Sequence, residues 1–272
     1  MGDFGLEYWT VQYPVAIQHC GFGQRMRAYT GVVISPPTCQ IMCGRIVQKS
    51  GPMDYVERIF TNWGRVFADV AGPLYNIPPG TRPLTMHRLA NGADDMMRLP
   101  WGYQGGGSRY FMSNAKLETI QRNGWPWIMM IGTGRILVPA DGWYEWMPLA
   151  DGPKAPTQPY YIHGDGPLYF AALTAWRPGA ELDKAHGFAI VTNDAQGGLV
   201  DVHDRRPVAL PAELARQWID PDLPATEAKA LLLEGLPETA FFWHPVRQEV
   251  GNSKYQMPDA IEPVPAISPA GK

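Results

Sequence analysis

Short stretches of alternating apolar and polar residues recur along the chain and predict an architecture dominated by β-strands. The first regular stretch follows Met42 directly, at Gly44 to Gln48, and turns rich in glycine and proline separate the later ones. Two pairs of stretches flank tight turns, at Asn91-Gly92 and at 140–142, and each pair is predicted to fold as two strands joined by that turn. The later predicted strands are 83–89, 96–103, 135–140, 142–146, 159–162, 168–176, 188–192 and 241–250.

Helical periodicity is confined to short segments. Residues 53–63 carry large apolar side chains at helical spacing, which predicts an amphipathic helix that core packing alone explains. A helix-compatible stretch after Ser113 is interrupted at Gly124 and Pro126, and short helices are predicted at 211–219 and 226–233. Because strands outnumber helices and no parallel β-α-β order is found, we predict the α+β class: a single domain on a curved, mostly antiparallel sheet or barrel with short flanking helices.

The same patterns divide the chain into three regions. Residues 43–257 are predicted to form the domain, and the prolines from Pro258 onward predict an extended or disordered tail over 258–272. Residues 1–42 contain one strand-like run and allow two interpretations: a genuine leader, or a start codon assigned too early, with translation beginning at Met42. We favour the second, because the first convincing strand follows Met42 immediately.

Composition narrows the functional classes. The net charge of −3 excludes a globally basic nucleic-acid binder but still allows a local stripe of arginines. The three cysteines lie in the first sixth of the chain, so no disulfide framework holds the rest together, and no apolar run is long enough to span a bilayer. We therefore expect a soluble cytoplasmic protein. A metal site from His19, Cys20, Cys39 and Cys43 is disfavoured, because adjacent His19 and Cys20 cannot easily face one ion.

Four ordered segments carry the candidate chemistry: MCGR at 42–45, SNAKLET at 113–119, VPADGWYEW at 138–146 and VDVHDRRPVAL at 200–210. Weaker strings fall between and after them: YNIPPGT at 75–81, WGY at 101–103, IVTNDA at 190–195 and WHPVRQEVGN at 243–252. Together these segments resemble the signature of the SRAP family, the SOS response-associated peptidases, over about residues 42–265.

The resemblance implies a protein that shields abasic sites in single-stranded DNA by a covalent link through an N-terminal cysteine, here Cys43, after the preceding residues are removed. The chemistry of the residue agrees with this role. An α-amine has an ordinary pKa of about 7.7 to 8.0, so a neutral fraction exists near pH 7 and can attack the aldehyde of the lesion. The thiol then closes a five-membered thiazolidine ring. The alternative is that Cys43 has only a structural role, as a small buried residue.

Three further residues match positions to which the family assigns catalysis. Glu145 matches a glutamate that transfers protons, and strand alternation places it on the face of Trp143, opposite Tyr144 and Trp146. His203 matches a general acid and base, with a loop histidine bonded to a neighbouring aspartate as the alternative. Asn114 matches an amide that orients the amine or the sugar hydroxyl. Without the resemblance, Glu145 would be interpreted as an exposed strand residue.

The resemblance also implies contacts with DNA and excludes a metal and a cofactor. The expected partner is single-stranded DNA that contains abasic sites, with the protein as a monomer associated with the nucleoid when bound. One departure from the family is the loop Gln104 to Arg109, where members carry a proline and tryptophans that kink the DNA; Tyr110 and Phe111 are candidates to replace them. The expected DNA-binding residues are Arg45, Lys116, Trp146, Thr192, Arg205 and Arg206.

Two other functions remain open at this point. The first is a cysteine-dependent autopeptidase that removes its own leader after Met42, which would also generate the α-amine that a crosslink needs. The second is a non-catalytic module that binds single-stranded DNA, which is the expected state if residues 1–42 are retained and the amine of Cys43 stays blocked.

Overall fold

Strands that are buried over their whole length mark the middle of the molecule, as in the stretch Leu168–Thr174. A strand of this kind needs cover on both faces, and two packed sheets provide one of the covers. The computed structural model describes residues 44–60, 72–88, 93–105, 108–152 and 155–267. The described strands are β1 (Ile46–Gln48), β2 (Leu74–Ile77), β3 (Leu84–Arg88), β4 (Asp94–Arg98), β5 (Asn114–Lys116), β6 (Arg135–Ala140), β7 (Gly142–Pro148), β8 (Thr157–His163), β9 (Leu168–Thr174), β10 (Phe188–Asp194), β11 (Arg205–Pro207) and β12 (Phe242–Pro245).

The helices are short and lie between or after the strands. They are α1 (Pro52–Val56), α2 (Leu117–Gln121), α3 (Ala212–Trp218) and α4 (Ala225–Leu231). Turns of 3-10 helix cover Trp127–Met129, Lys184–His186, Gly197–Asp201, Leu232–Glu234, Glu238–Ala240, Gln248–Gly251 and Pro258–Ile261. This mixture of antiparallel sheets with few helices confirms the predicted α+β class.

The strands form two sheets. The first has the order β12-β8-β7-β1-β2, and the second has the order β11-β10-β9-β6-β3-β4 with β5 added alongside β10. The pairing of β5 with β10 is parallel, and the other strand pairings within the two sheets are antiparallel.

Strand alternation separates the core into layers. Phe170 and Ala172 of β9 point between the two sheets, where Trp143 and Ile162 of the first sheet meet them. Their neighbours along β9 point the other way, under the four α-helices. On the far side of the first sheet, Tyr144 and its neighbours are covered by the C-terminal segment. The stacked order is therefore helices, second sheet, first sheet and C-terminal segment.

The turn at 140–142 differs from the prediction of two strands folded back on each other. β6 belongs to the second sheet and β7 to the first, so Asp141 is a corner at which the chain changes sheets. Its carboxylate accepts bonds from Lys49 N at 2.6 Å, Ser50 N at 3.0 Å and the Tyr55 hydroxyl at 2.5 Å. A side chain on Gly142 would lie 2.4 Å from the carbonyl oxygen of Ile162, so only glycine fits against β8 there. The local turn signal was real, but contacts distant in sequence decide the strand partners.

Other boundaries also differ from the sequence pattern. The hairpin of β3 and β4 is confirmed, although the predicted turn at Asn91-Gly92 lies outside the described residues. The helix α1 ends at Val56, so it is shorter than the predicted helix at 53–63, and the last strand ends at Pro245 rather than at 250. The segment from Pro258 onward is not simply extended, because it forms a turn of 3-10 helix with Ala260 fully buried. Residues 1–42, with the two interpretations of the start, lie outside the described residues.

Candidate active site

An open cavity of about 840 Å³ lies where residues of both sheets meet. Its apolar and polar residues come from segments far apart in the sequence, so only the fold assembles it. Gly44, which follows Cys43 in the sequence, is one of its residues. The residues that line it are Gly44, Arg45, Pro78, Pro79, Phe111, Met112, Ser113, Asn114, Glu145, Trp146, Thr157, His203 and Gly251.

The buried polar wall of the cavity is Glu145 with His203. Glu145 lies on β7 of the first sheet and is 2% exposed, on the same face as Trp143 as alternation predicted. His203 lies just before β11 of the second sheet and is 7% exposed. The Oε2 atom of Glu145 is 3.9 Å from Nε2 of His203, too long for a direct hydrogen bond but within ion-pair distance. Both atoms therefore lie on one side of the cavity, where a group bound next to them can exchange a proton with either one.

The other nitrogen of His203 is fixed by its own loop. Nδ1 lies 3.0 Å from the amide nitrogen of Arg205 and 3.2 Å from its carbonyl oxygen. Burial lowers the pKa of His203 below its ordinary value, while the nearby carboxylate of Asp204 opposes this change. The ring is therefore held in one orientation and favours the neutral state needed to accept a proton near pH 7.

Arg45 and Trp146 form a second wall. The Nη1 group of Arg45 donates to Oδ1 of Asn76 at 2.9 Å and to the carbonyl of Val250 at 3.0 Å, and Nη2 donates to the carbonyl of Gly251 at 3.2 Å. The guanidinium lies 5.7 Å from the ring centroid of Trp146, in cation-π contact. Partial burial lowers the pKa of Arg45, although an arginine so placed remains protonated at neutral pH. This wall presents a fixed cation beside an aromatic face.

The structure brings together five of the ten residues predicted from the sequence. Arg45, Asn114, Glu145, Trp146 and His203 all line the cavity, and Asn114 begins β5 beside β10. Cys43 lies outside the described residues, and the metal site considered from His19 and the cysteines does too. The assignment of roles to these residues stays a prediction.

The remaining four predicted DNA contacts lie outside the cavity lining. Lys116 is exposed at the end of β5, and Thr192 is fully buried on β10. Arg205 is 7% exposed, with Nη1 donating to Asp194 at 2.6 Å and Nη2 to Glu118 at 3.0 Å.

Arg206 is equally buried, bonded to the carbonyl of Leu236 at 2.7 Å and stacked over Phe241. The positive charges of the two arginines are therefore held by the protein itself, and their contact with DNA stays a prediction.

The exposed rim of the cavity carries two aromatic residues. Phe111 is 41% exposed and lines the opening, and Tyr110 beside it is 60% exposed. Gly102 has φ of +126°, and a side chain there would lie 1.9 Å from the Phe111 ring, so the ring rests directly on the glycine backbone. The ammonium of Lys184 lies 6.0 Å from the ring centroid. Phe111 is thus supported from below while one side faces the solvent.

Sequence reasoning missed several residues of the site. Asn76 is fully buried, and its side-chain amide donates to the carbonyls of Val250 at 2.9 Å and Asn252 at 3.0 Å, so it holds the loop that in turn binds Arg45. An asparagine inside the apolar run YNI was the available signal. Pro78 and Pro79 lie in the string YNIPPGT, which contributed to the family resemblance but was given no role in the site. Thr157 gave no signal, since nothing in the sequence indicates which strand ends face the cavity.

Two features are absent from the described part of the chain. No helix within it is long and apolar enough to cross a membrane. Over the same residues, no group of three or more histidine, cysteine, aspartate or glutamate side chains is placed to hold a metal ion.

Comparisons with known proteins give the chain its family. The family model "SOS response associated peptidase (SRAP)" matches residues 42–253. Abasic site processing protein YedK of Escherichia coli is 36% identical over 231 residues, covering 82% of this chain and all of YedK. Abasic site processing protein HMCES of Xenopus tropicalis is 24% identical over 285 residues, covering 85% of this chain and 83% of the relative.

A solved structure agrees with these sequence matches. The crystal structure of a phage-related protein from Bordetella bronchiseptica is 71% identical, with a TM-score of 0.72, and the match covers 79% of this chain and all of that one. With the family model matching well over half of its length, the chain belongs to the SOS response-associated peptidase family.

Proposed function

We propose that this protein processes abasic sites in single-stranded DNA and that it does so by a covalent link through Cys43. The observation that carries the proposal is the cavity, in which Arg45, Asn114, Glu145 and His203 meet from four distant segments next to Gly44. The relatives YedK and HMCES are both named abasic site processing proteins, and the chain spans the whole of the first.

The reaction uses the two nucleophiles of an N-terminal cysteine. The neutral α-amine of Cys43 adds to the aldehyde of the ring-opened sugar and expels water, which gives an imine. The thiol then adds to the imine carbon and its proton passes to the nitrogen, which closes the thiazolidine. The second step is intramolecular and therefore fast and favourable. A cysteine inside a longer chain lacks the free amine and cannot complete the sequence.

The buried wall supplies the proton transfers. Water leaves only if the departing oxygen receives a proton, and the amine must lose one as it attacks. Glu145 and His203, with their facing atoms 3.9 Å apart, can serve both needs from the same wall of the cavity. Asn114 lies in the same cavity, and its amide can donate and accept at once, which suits it to orient the amine or a sugar hydroxyl.

The second wall supplies binding. Arg45 is fixed by three hydrogen bonds to protein acceptors, and its guanidinium lies within cation-π distance of the Trp146 ring. A nucleotide next to the lesion can place its base against Trp146 and its phosphate near the guanidinium, which is how single-strand binders combine stacking and charge. In this proposal the protein binds single-stranded DNA as a monomer.

The same cavity supports a second activity, cleavage of the bond after Met42. The family description includes the word peptidase, and Gly44, two residues beyond that bond, lines the cavity with Glu145 and His203. In this activity the proton-transfer pair would assist attack by the Cys43 thiol on the Met42 carbonyl. The peptide nitrogen would leave as the α-amine of Cys43, and water would then hydrolyse the thioester and free the thiol. The two activities form a sequence, because cleavage exposes the amine that the crosslink requires.

The test of the main proposal is a denaturing gel with abasic single-stranded DNA, on which only a covalent adduct survives. Protein that begins at Cys43 should give a shifted band, and Cys43→Ala should give none while it binds intact single-stranded DNA with unchanged affinity. An equal adduct yield from Cys43→Ala would refute the mechanism. Binding without an adduct from the unmodified protein would leave a non-catalytic binding module.

The starting residue is tested by intact mass of the protein from its native host. A mass that begins at Cys43 provides the free amine. A mass that retains residues 1–42 means that the amine is blocked in the cell. In that case the protein is a precursor or a binding module.

A further inference from the structure

Asp204 lies next to His203 in the sequence, and no part of the proposed mechanism uses it. Its carboxylate is 78% exposed, yet Oδ1 lies 3.1 Å from Nδ1 of the buried histidine ring. This contact points away from the cavity, on the side of the ring opposite to the atom that faces Glu145. Asp204 therefore touches the histidine without touching the space that a substrate would occupy.

The Arg205 peptide offers a partner to each neutral form of the His203 ring. If the proton is on Nε2, Nδ1 accepts from the Arg205 amide at 3.0 Å; if it is on Nδ1, that atom donates to the Arg205 carbonyl at 3.2 Å. In the second form the Arg205 amide loses its acceptor on the ring, so the peptide by itself favours the proton on Nε2. A negative charge close to Nδ1 is needed to favour the second form.

Asp204 is the charge in that position. A carboxylate 3.1 Å from Nδ1 repels a lone pair on that atom and attracts a proton on it. The other charged groups around the ring act differently. Glu145 faces Nε2 from β7, and the guanidinium of Arg205 is paired with Glu118 and Asp194.

We propose that Asp204 is a positioning residue that keeps the proton of neutral His203 on Nδ1 and so leaves the Nε2 lone pair facing Glu145 and the cavity. This proposal rests on the proposed function. In it, Nε2 takes one proton from the attacking amine and the ring becomes an imidazolium. Glu145 gives the carbonyl oxygen its first proton as the amine attacks, and the imidazolium gives that oxygen its second, so that it leaves as water. The nitrogen then passes its remaining proton back to Glu145, which gives the imine, and the His203 ring is again in its starting form.

The direct test is the nitrogen NMR spectrum of His203 in the full chain, which distinguishes the two neutral forms by their nitrogen shifts. The wild-type protein should show Nδ1 protonated. Asp204→Asn should move the proton to Nε2 and lower the pH midpoint of the His203 titration by about half to one unit, the size expected for one exposed charge at contact. Asp204→Glu should restore part of the wild-type spectrum.

Asp201→Asn is the matched control, because it removes an exposed carboxylate from the same segment. It should leave the spectrum of His203 unchanged. The second readout is the rate of adduct formation with abasic single-stranded DNA across pH. Asp204→Asn should form the adduct up to about tenfold more slowly near neutral pH. A tenfold change in the ratio of the two neutral forms changes the fraction of protein with a free lone pair on Nε2 by up to that factor. Its affinity for intact DNA should stay the same.

The outcomes separate the two proposals. An unchanged tautomer and midpoint in Asp204→Asn would overturn the role of Asp204, whatever the DNA assay shows. No adduct from the wild-type protein would overturn the proposed function, while the spectrum still decides where the proton lies. A thermal melt of each variant excludes unfolding as the cause, and the exposure of Asp204 makes a folded variant the expected result.

Discussion

The buried wall and the exposed rim of the cavity are built in opposite ways. Glu145 and His203 are contributed by two different sheets and are almost inaccessible, so their positions depend on the packing of the whole domain. Tyr110 and Phe111 stand on a loop and are 60% and 41% exposed. A wall of this kind can hold two atoms at a fixed separation, whereas a rim can change its residues without disturbing the fold. We therefore expect the proposed chemistry to depend on the wall and the choice of bound strand to depend on the rim.

The strongest test of this division changes the wall alone. Glu145→Gln keeps the shape of the side chain but removes its ability to exchange protons. The rate of adduct formation with abasic single-stranded DNA should fall by roughly 100- to 10,000-fold, the usual contribution of a positioned acid or base. Affinity for intact single-stranded DNA should change little. Single-turnover kinetics and a binding titration measure the two quantities.

Glu213→Gln provides the control for that variant, since Glu213 is an exposed residue of α3. It should react at the wild-type rate. If Glu145→Gln reacted within twofold of the wild-type protein, the wall would have no catalytic role. The function would then rest on Cys43 and the binding surfaces alone.

The rim is tested by Phe111→Ala. If a base of the bound strand stacks on the supported ring, affinity for intact single-stranded DNA should weaken by about 1 to 3 kcal/mol. At saturating DNA the rate of adduct formation should be unchanged, because the wall is untouched. Phe111→Tyr should bind like the wild-type protein.

Trp125→Ala is the matched control for the loss of an exposed aromatic ring, because Trp125 is 61% exposed but is not a cavity residue. It should leave affinity unchanged. An equal loss of affinity in both variants would show that the rim has no special role. A loss of rate at saturating DNA in Phe111→Ala would show that rim and wall are not separable.

The sequence predicted the wall better than its surroundings, for a physical reason. Period-two alternation fixes the face of a strand residue, so placing Glu145 with Trp143 required only local information. The corner at Asp141 could not be derived in that way. Its carboxylate is held by Lys49, Ser50 and Tyr55, about ninety residues earlier in the chain, and these bonds decide which sheet the next strand joins.

The supports of Arg45 show the same limit. Its partners are a buried asparagine 31 residues away and two carbonyl groups more than 200 residues away. The carbonyls belong to a short helical turn within a region whose pattern predicted a strand. Motifs could therefore name the residues of the site, but the residues that hold them in place depend on packing between distant segments.

The smallest expected effect is on the pH dependence of stability, to which two buried histidines contribute, one in the wall and one outside it. His87 on β3 is 4% exposed, packs against Trp176 and has no hydrogen-bond partner for either ring nitrogen among the described residues. Burial lowers the pKa of both His87 and His203 from the ordinary 6.5, although Asp95 and Asp94 oppose this change for His87. Both rings therefore stay neutral in the folded protein at pH values at which they take up a proton in the unfolded chain.

The sign of the effect on stability follows from this difference. As pH falls through 6.5, the unfolded chain takes up protons that the folded protein does not, so the free energy of unfolding decreases. Each histidine contributes a slope of at most about 1.4 kcal/mol per pH unit. His87→Phe keeps an aromatic ring against Trp176 and removes one of the two contributions.

Denaturant unfolding of His87→Phe between pH 7.5 and about 5.5 should therefore show a shallower loss of stability than in the wild-type protein, whereas Phe111→Ala should keep the wild-type slope. Equal slopes for His87→Phe and the wild-type protein would mean that the burial of His87 does not lower its pKa. The contribution of the two buried histidines would then come from His203 alone.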